Sequence, residues 1–102
     1  MRTPIIAGNW KMHNTMEQGT KLVKDLAALV KDAKATVVVC APYTALQAAT
    51  KAASGTNVHV GAQNVHWEEK GAFTGEISVP MLQEIGVEYV VIGHSERREY
   101  FG

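Results

Sequence analysis

The sequence predicts an α/β protein built on a parallel sheet, and three observations predict it. Short apolar runs alternate with longer segments of helical period, the pattern of strand–helix–strand crossovers. The runs are Val- and Ile-rich on both faces, as strands buried in a parallel sheet are. The last of them, Tyr89 to Ile92, reaches Gly93 and delivers His94, Ser95, Glu96 and Arg97 without a gap. Polar clusters at strand carboxyl ends are where such sheets place their chemistry.

Each element has a local reason. Pro4 to Gly8 is a short apolar strand cut off at Asn9-Trp10-Lys11. Thr15 and Gln18 form a capping-box pair, and Leu22, Val23, Leu26, Leu29 and Val30 follow at helical spacing, with Lys21, Lys24, Asp25 and Lys31 on the other face. Thr36 to Ala41 is the second strand, ended by Pro42. Thr44 with Gln47 predicts another capping box, opening an Ala-rich helix that closes before Gly55. Val58 to Ala62 is the third strand. A long connection from Gln63 to Ile77 follows, and Ser78 caps a short helix with Pro80 in its first turn, ending at Gly86. Tyr89 to Ile92 is the fourth strand. The order is β-α-β-α-β-α-β plus the start of the fourth helix.

Composition narrows the function. The 102 residues fit one domain, and 46% are hydrophobic. Lys+Arg 10 against Asp+Glu 10 leaves a net charge of zero, which gives no support to a nucleic-acid or membrane partner. The apolar run Ile5 to Ala7 is too short for a signal segment, and no stretch has the ~20 apolar residues of a spanning helix. Cys40 is the single cysteine, so no intrachain disulfide forms, and its VVVCA setting reads as strand core. A reduced, cytoplasmic home is expected.

Parallel strands bring their carboxyl ends to one rim. Asn9, Lys11 and His13 come from the first strand, Tyr43 and Thr44 from the second, and Gln63, Asn64 and His66 from the third. His94, Ser95 and Glu96 come from the fourth. Lys11 is a compact point charge suited to an anionic substrate. Asn9 is either a turn residue or one that orients Lys11. His94 begins a helix, whose amino end disfavours the imidazolium and leaves a neutral ring able to polarise a carbonyl. Glu96 pairs with Lys11 or Arg97, or acts as a base. His13, His59 and His66 read as turn and surface residues, with no metal-ligand spacing, so no metal is expected. The long connection carries Trp67 and Phe73, which suit a packed loop that docks on a partner. Four units do not decide between an open sheet of five strands and a closed barrel of eight. The turn GNWKMHN lacks both dinucleotide and Walker spacing.

Four segments go further. AGNWKMH (Ala7 to His13), GAQNVH (Gly61 to His66), KGAFTGEIS (Lys70 to Ser78) and VIGHSERREYF (Val91 to Phe101) resemble, in order and spacing, the signatures of the triosephosphate isomerase family. The resemblance runs from Met1 to Gly102. It implies a partial (β/α)8 TIM barrel, with residues 1–102 as the amino-terminal portion of a single TIM-barrel domain. It implies interconversion of dihydroxyacetone phosphate and glyceraldehyde 3-phosphate without a cofactor, in glycolysis and gluconeogenesis, by a cytoplasmic homodimer. Asn9 and Lys11 would bind substrate. His94 would be the electrophile on the carbonyl, and Lys11 and Glu96 would complete the catalytic set with Ser95 in support. Thr74 would reach a neighbouring subunit, and Glu76 would pair with Arg97 at that interface. The family's carboxylate base, closing lid and phosphate loops would lie in the second half of the barrel, so the 102 residues alone are expected to be inactive. Two partners follow as expectations: a complementary barrel half, or further copies of the chain that cover the apolar edges of a self-associating, non-catalytic half-barrel.

Overall fold

The computed structural model describes residues 5–92 and His94. Its elements are β1 (Ile5–Asn9), α1 (Met16–Leu29), β2 (Thr36–Ala41), α2 (Tyr43–Ala53), β3 (Val58–Ala62), α3 (Val79–Glu84) and β4 (Tyr89–Val90). All neighbouring strands pair in parallel, in the order β1-β2-β3-β4. That order decides the architecture. An open flavodoxin-like sheet would reverse direction around its first strand, whereas a barrel adds each strand beside the last.

The register explains which side chains share a face. Val37, Val39 and Ala41 stand opposite Val58, Val60 and Ala62. Most of this set packs with Ala45, Leu46, Ala49 and Ala53 of α2, and with Val23 and Leu82, in one core. Alternation sends Val38 and Cys40 to the other face, and both are buried there as well. Gly61 lies between Cys40 and Tyr89 on that face. A Cβ at Gly61 would stand 3.1 Å from Cys40 Sγ and 3.2 Å from Tyr89 Cβ. A residue without a side chain lets the strands draw together on the concave side of the curl.

Several boundaries differ from the sequence expectation, each for a visible reason. β1 runs on to Asn9 because Asn9 stands in register with Cys40. Pro4 lies outside the described residues. β4 stops at Val90, although Val91 N–H still donates to Ala62 C=O at 2.8 Å. The capping box of Thr15 and Gln18 forms in both directions. The one proposed at Thr44 does not: α2 begins two residues earlier at Tyr43, with Pro42 as its cap residue and no side-chain cap bond. Proline's fixed φ starts the helix without help from Thr44. Ser78 is the cap residue of α3 with Pro80 in its first turn, but its hydroxyl makes no cap bond. The fourth helix falls outside the described residues.

The α1 stripe is only partly buried. Val23 is fully enclosed and Leu26 and Val30 pack on the core, but Leu22 is exposed and Leu29 is 84% exposed. α1 packs chiefly on α2 and more lightly on β3, and Leu22 and Leu29 stay exposed. β1 is exposed at every residue. His59, read as a turn or surface residue, lies inside β3, where its Nδ1 is 2.9 Å from Glu88 Oε1 and its ring meets Tyr89 edge-on at 6.0 Å.

Candidate functional site

The site is built where β1 meets its turn. Trp10 N–H donates to Cys40 C=O at 3.0 Å, which carries the β1–β2 pairing one residue past the strand. Its indole is then buried against Gly19 of α1, where a Cβ would come within 2.9 Å of the ring. Trp10 thus pins the turn from inside and leaves Lys11 on the exposed side. Lys11 takes a left-handed conformation, φ 55, which costs a non-glycine residue about 1–3 kcal/mol.

Hydrogen bonds hold that peptide from both ends. Lys11 N–H donates to Asn9 Oδ1 at 2.8 Å. Gln63, directly after β3, donates through Nε2 to Lys11 C=O at 2.6 Å, to Cys40 C=O at 3.1 Å and to Asn9 Oδ1 at 3.3 Å. The two readings of Asn9 therefore combine: it is a turn residue whose amide orients Lys11. The sequence puts Gln63 on this rim but does not show what it bonds. The available signal was its place, one residue beyond β3 and beside the rows of Asn9 and Cys40.

The neighbouring ends close the rim. Tyr43 O–H donates to Asn64 C=O at 2.9 Å, joining the end of β2 to the end of β3. Asn64 Nδ2 donates to Glu76 Oε2 at 3.3 Å, and His66 N–H to Ile77 C=O at 2.7 Å, so the long connection is tied at its base. Inside it, the His66 ring lies 4.1 Å from Trp67 and 4.1 Å from Phe73. The two aromatics pack around a histidine, yet Trp67 remains 83% exposed. Thr74 and Glu76 are on the exposed outer part of this loop. His94 is partly buried past the end of β4, on the same rim by the parallel order of the strands. Ser95, Glu96 and Arg97 lie outside the described residues, and with them the pairing of Glu76 with Arg97.

The structure therefore brings Asn9, Lys11 and Gln63 together, and His94 follows the end of β4 in the same parallel sheet. Burial pushes the Cys40 thiol up from its ordinary value. Among the described residues no group of three or more His, Cys, Asp and Glu could hold a metal ion. No described helix is long and apolar enough to cross a membrane.

Comparison with known proteins supplies the frame for this site. A sequence model of the family described as triosephosphate isomerase matches residues 4–102. The chain is 64% identical over 101 residues to a triosephosphate isomerase of Clostridium perfringens (strain 13 / Type A), covering 99% of this chain and 41% of that one. It is 63% identical over 102 residues to the protein of the same name from Moorella thermoacetica, again covering 41% of the relative. A crystal structure of triosephosphate isomerase from Bartonella henselae superposes with a TM-score of 0.90 at 40% identity, covering 98% of this chain and 41% of that one. The chain thus spans about two-fifths of the length of the relatives it matches.

Proposed function

The chain belongs to the triosephosphate isomerase family, and on that premise we propose that it supplies the substrate-binding and electrophilic part of an isomerase site. The observation that carries this reading is the held turn at Lys11. A lysine backbone fixed at both its N–H and its C=O, beside Asn9 and on the rim that bears His94, is built to present charge at one place.

In the proposed mechanism, the Lys11 ammonium meets the phosphate dianion of the triose phosphate and the negative charge that develops on oxygen. Asn9 fixes the turn and binds substrate beside it. His94 donates an N–H to the substrate carbonyl and makes the adjacent C–H more acidic. A carboxylate base takes that proton from one carbon and returns it to the neighbouring carbon, while the hydroxyl proton passes from one oxygen to the other, interconverting dihydroxyacetone phosphate and glyceraldehyde 3-phosphate without a cofactor. Glu96 and Ser95 support His94. In this reading the base belongs to the part of the relatives' length that this chain does not span, and the 102 residues alone are expected to have negligible activity. The setting is cytoplasmic glycolysis and gluconeogenesis, with Thr74 and Glu76 of the long loop at a homodimer interface.

The test is an isomerase assay on the purified chain, alone and mixed with a separately produced second half of a relative. Activity confined to the mixture and abolished by His94→Gln supports the reading. Turnover by the chain alone at a rate near that of a full-length enzyme, abolished by His94→Gln, removes it.

One observation favours a second reading. All five residues of β1 are exposed, Ile5 and Ile6 at 61% and 60%, and nothing lies within 4 Å of a Cβ built on Gly8. An apolar edge strand with both faces open invites another chain. In this reading the chain is a non-catalytic, self-associating half-barrel. Light scattering across a dilution series separates the two: a monomer at every concentration counts against self-association.

A further inference from the structure

Lys11 sits at φ 55, the left-handed region that favours glycine, so its peptide must be held from outside. Its N–H bond to Asn9 Oδ1 spans two residues and belongs to the turn itself. Its carbonyl bond comes from Gln63, 52 residues further along, and joins the turn to the sheet. The same Nε2 also reaches Cys40 C=O and Asn9 Oδ1. An amide nitrogen has two hydrogens, so three oxygens share two donors. All three acceptors lie at the ends of β1 and β2, while the donor rides on β3. Cys40 C=O already accepts from Trp10, so the contact set closes on the peptides either side of the turn.

We propose that Gln63 is a positioning residue: it holds the Lys11 peptide in its left-handed turn and so fixes where the Lys11 ammonium meets an anionic substrate. The proposal rests on the reading of Lys11 given above. Only a donor serves here. A leucine at this position fills the same space and donates nothing, and a carboxylate turns its oxygens on three others.

Proton NMR of the chain tests it directly. A left-handed residue brings its amide proton close to its own Hα and gives a strong intraresidue cross-peak. Lys11 shows that cross-peak in the unaltered chain, and Gln63→Leu reduces it to the level of the extended residues of β1. The amide shifts of β2 and α2 report that the variant is folded. Gln63→Glu is the second variant. It lacks the strong cross-peak at neutral pH and regains it as pH falls through the carboxyl titration, because the protonated acid again offers a donor to Lys11 C=O. A packing role would show no such pH response. A strong Lys11 cross-peak in folded Gln63→Leu, or in Gln63→Glu at neutral pH, overturns the proposal; if Gln63→Leu does not fold, the Gln63→Glu titration decides. In an active mixture with a second barrel half, Gln63→Leu lowers kcat/KM about 10²-fold, chiefly through KM. An unchanged KM also overturns the proposal. An inactive unaltered mixture strikes the assignment of Lys11 to substrate and leaves the cross-peak to decide the role of Gln63.

Discussion

Lys11 and Cys40 show how little of a residue's role its type announces. A lysine after a strand is ordinarily a surface charge; here a left-handed peptide and two side-chain amides fix it. The sequence made Asn9, Lys11 and His94 visible because each follows an apolar run directly. Gln63 follows one too, but hydrogen bonds to main-chain carbonyls leave no trace in residue type. Cys40 was legible as strand core, and its burial has a consequence in pH. The folded protein keeps the thiol protonated where the unfolded chain begins to ionise near the ordinary value of 9.0. Above that pH the unfolded state therefore binds fewer protons than the folded one, and stability falls as pH rises; below it Cys40 contributes no pH dependence. Urea unfolding between pH 8 and 10, chosen as about one unit either side of the thiol value, is expected to show a shallower alkaline loss in Cys40→Ala. Equal slopes in the two proteins would mean that Cys40 is not shielded from solvent.

At the scale of elements, signals confined to a few neighbouring residues were read correctly. The Thr15–Gln18 box forms because both partners sit within one turn, and β2 and β3 have the bounds their Val-rich runs predict. The failures needed information from elsewhere. Thr44 is a good cap residue by type, but Pro42 starts α2 before it. Leu29 has the period of a core residue, but it stands outside the packing of α1 on α2 and is exposed. Gly19 was passed over, since a glycine inside a helical pattern reads as a weakness worth ~1 kcal/mol. The structure gives it a purpose, the approach of the Trp10 ring. Gly19→Ala gains that propensity and meets the ring at 2.9 Å, an overpacking that costs ~1–3 kcal/mol. The expected result is a net loss on the order of 1 kcal/mol in urea, with Trp10 emission shifted toward that of an exposed indole. A stabilised Gly19→Ala with unchanged emission would show that the turn is not pinned by Trp10.

On the scale of the molecule, a sheet ordered β1-β2-β3-β4 and curled toward one side is a segment of a barrel. The sequence left open sheet and barrel undecided until family signatures were compared, because alternation of strands and helices does not encode strand order. The same geometry governs both readings of function. A rim that carries Asn9, Lys11 and His94 needs strands beside β1 and beyond β4 to enclose a substrate, and the open β1 edge is where such strands would add. In the proposed reading, a complementary half would complete the site, whereas a second copy would cover the edge and supply no base. The central claim is that these residues hold the geometry of an isomerase half-site. The measurement that tests it most directly is the rate of dihydroxyacetone phosphate turnover when this chain is mixed with the second half of a relative. Turnover in the mixture, absent from either half and lost in His94→Gln, is the predicted result. A mixture that forms a stable complex and remains inactive would contradict it.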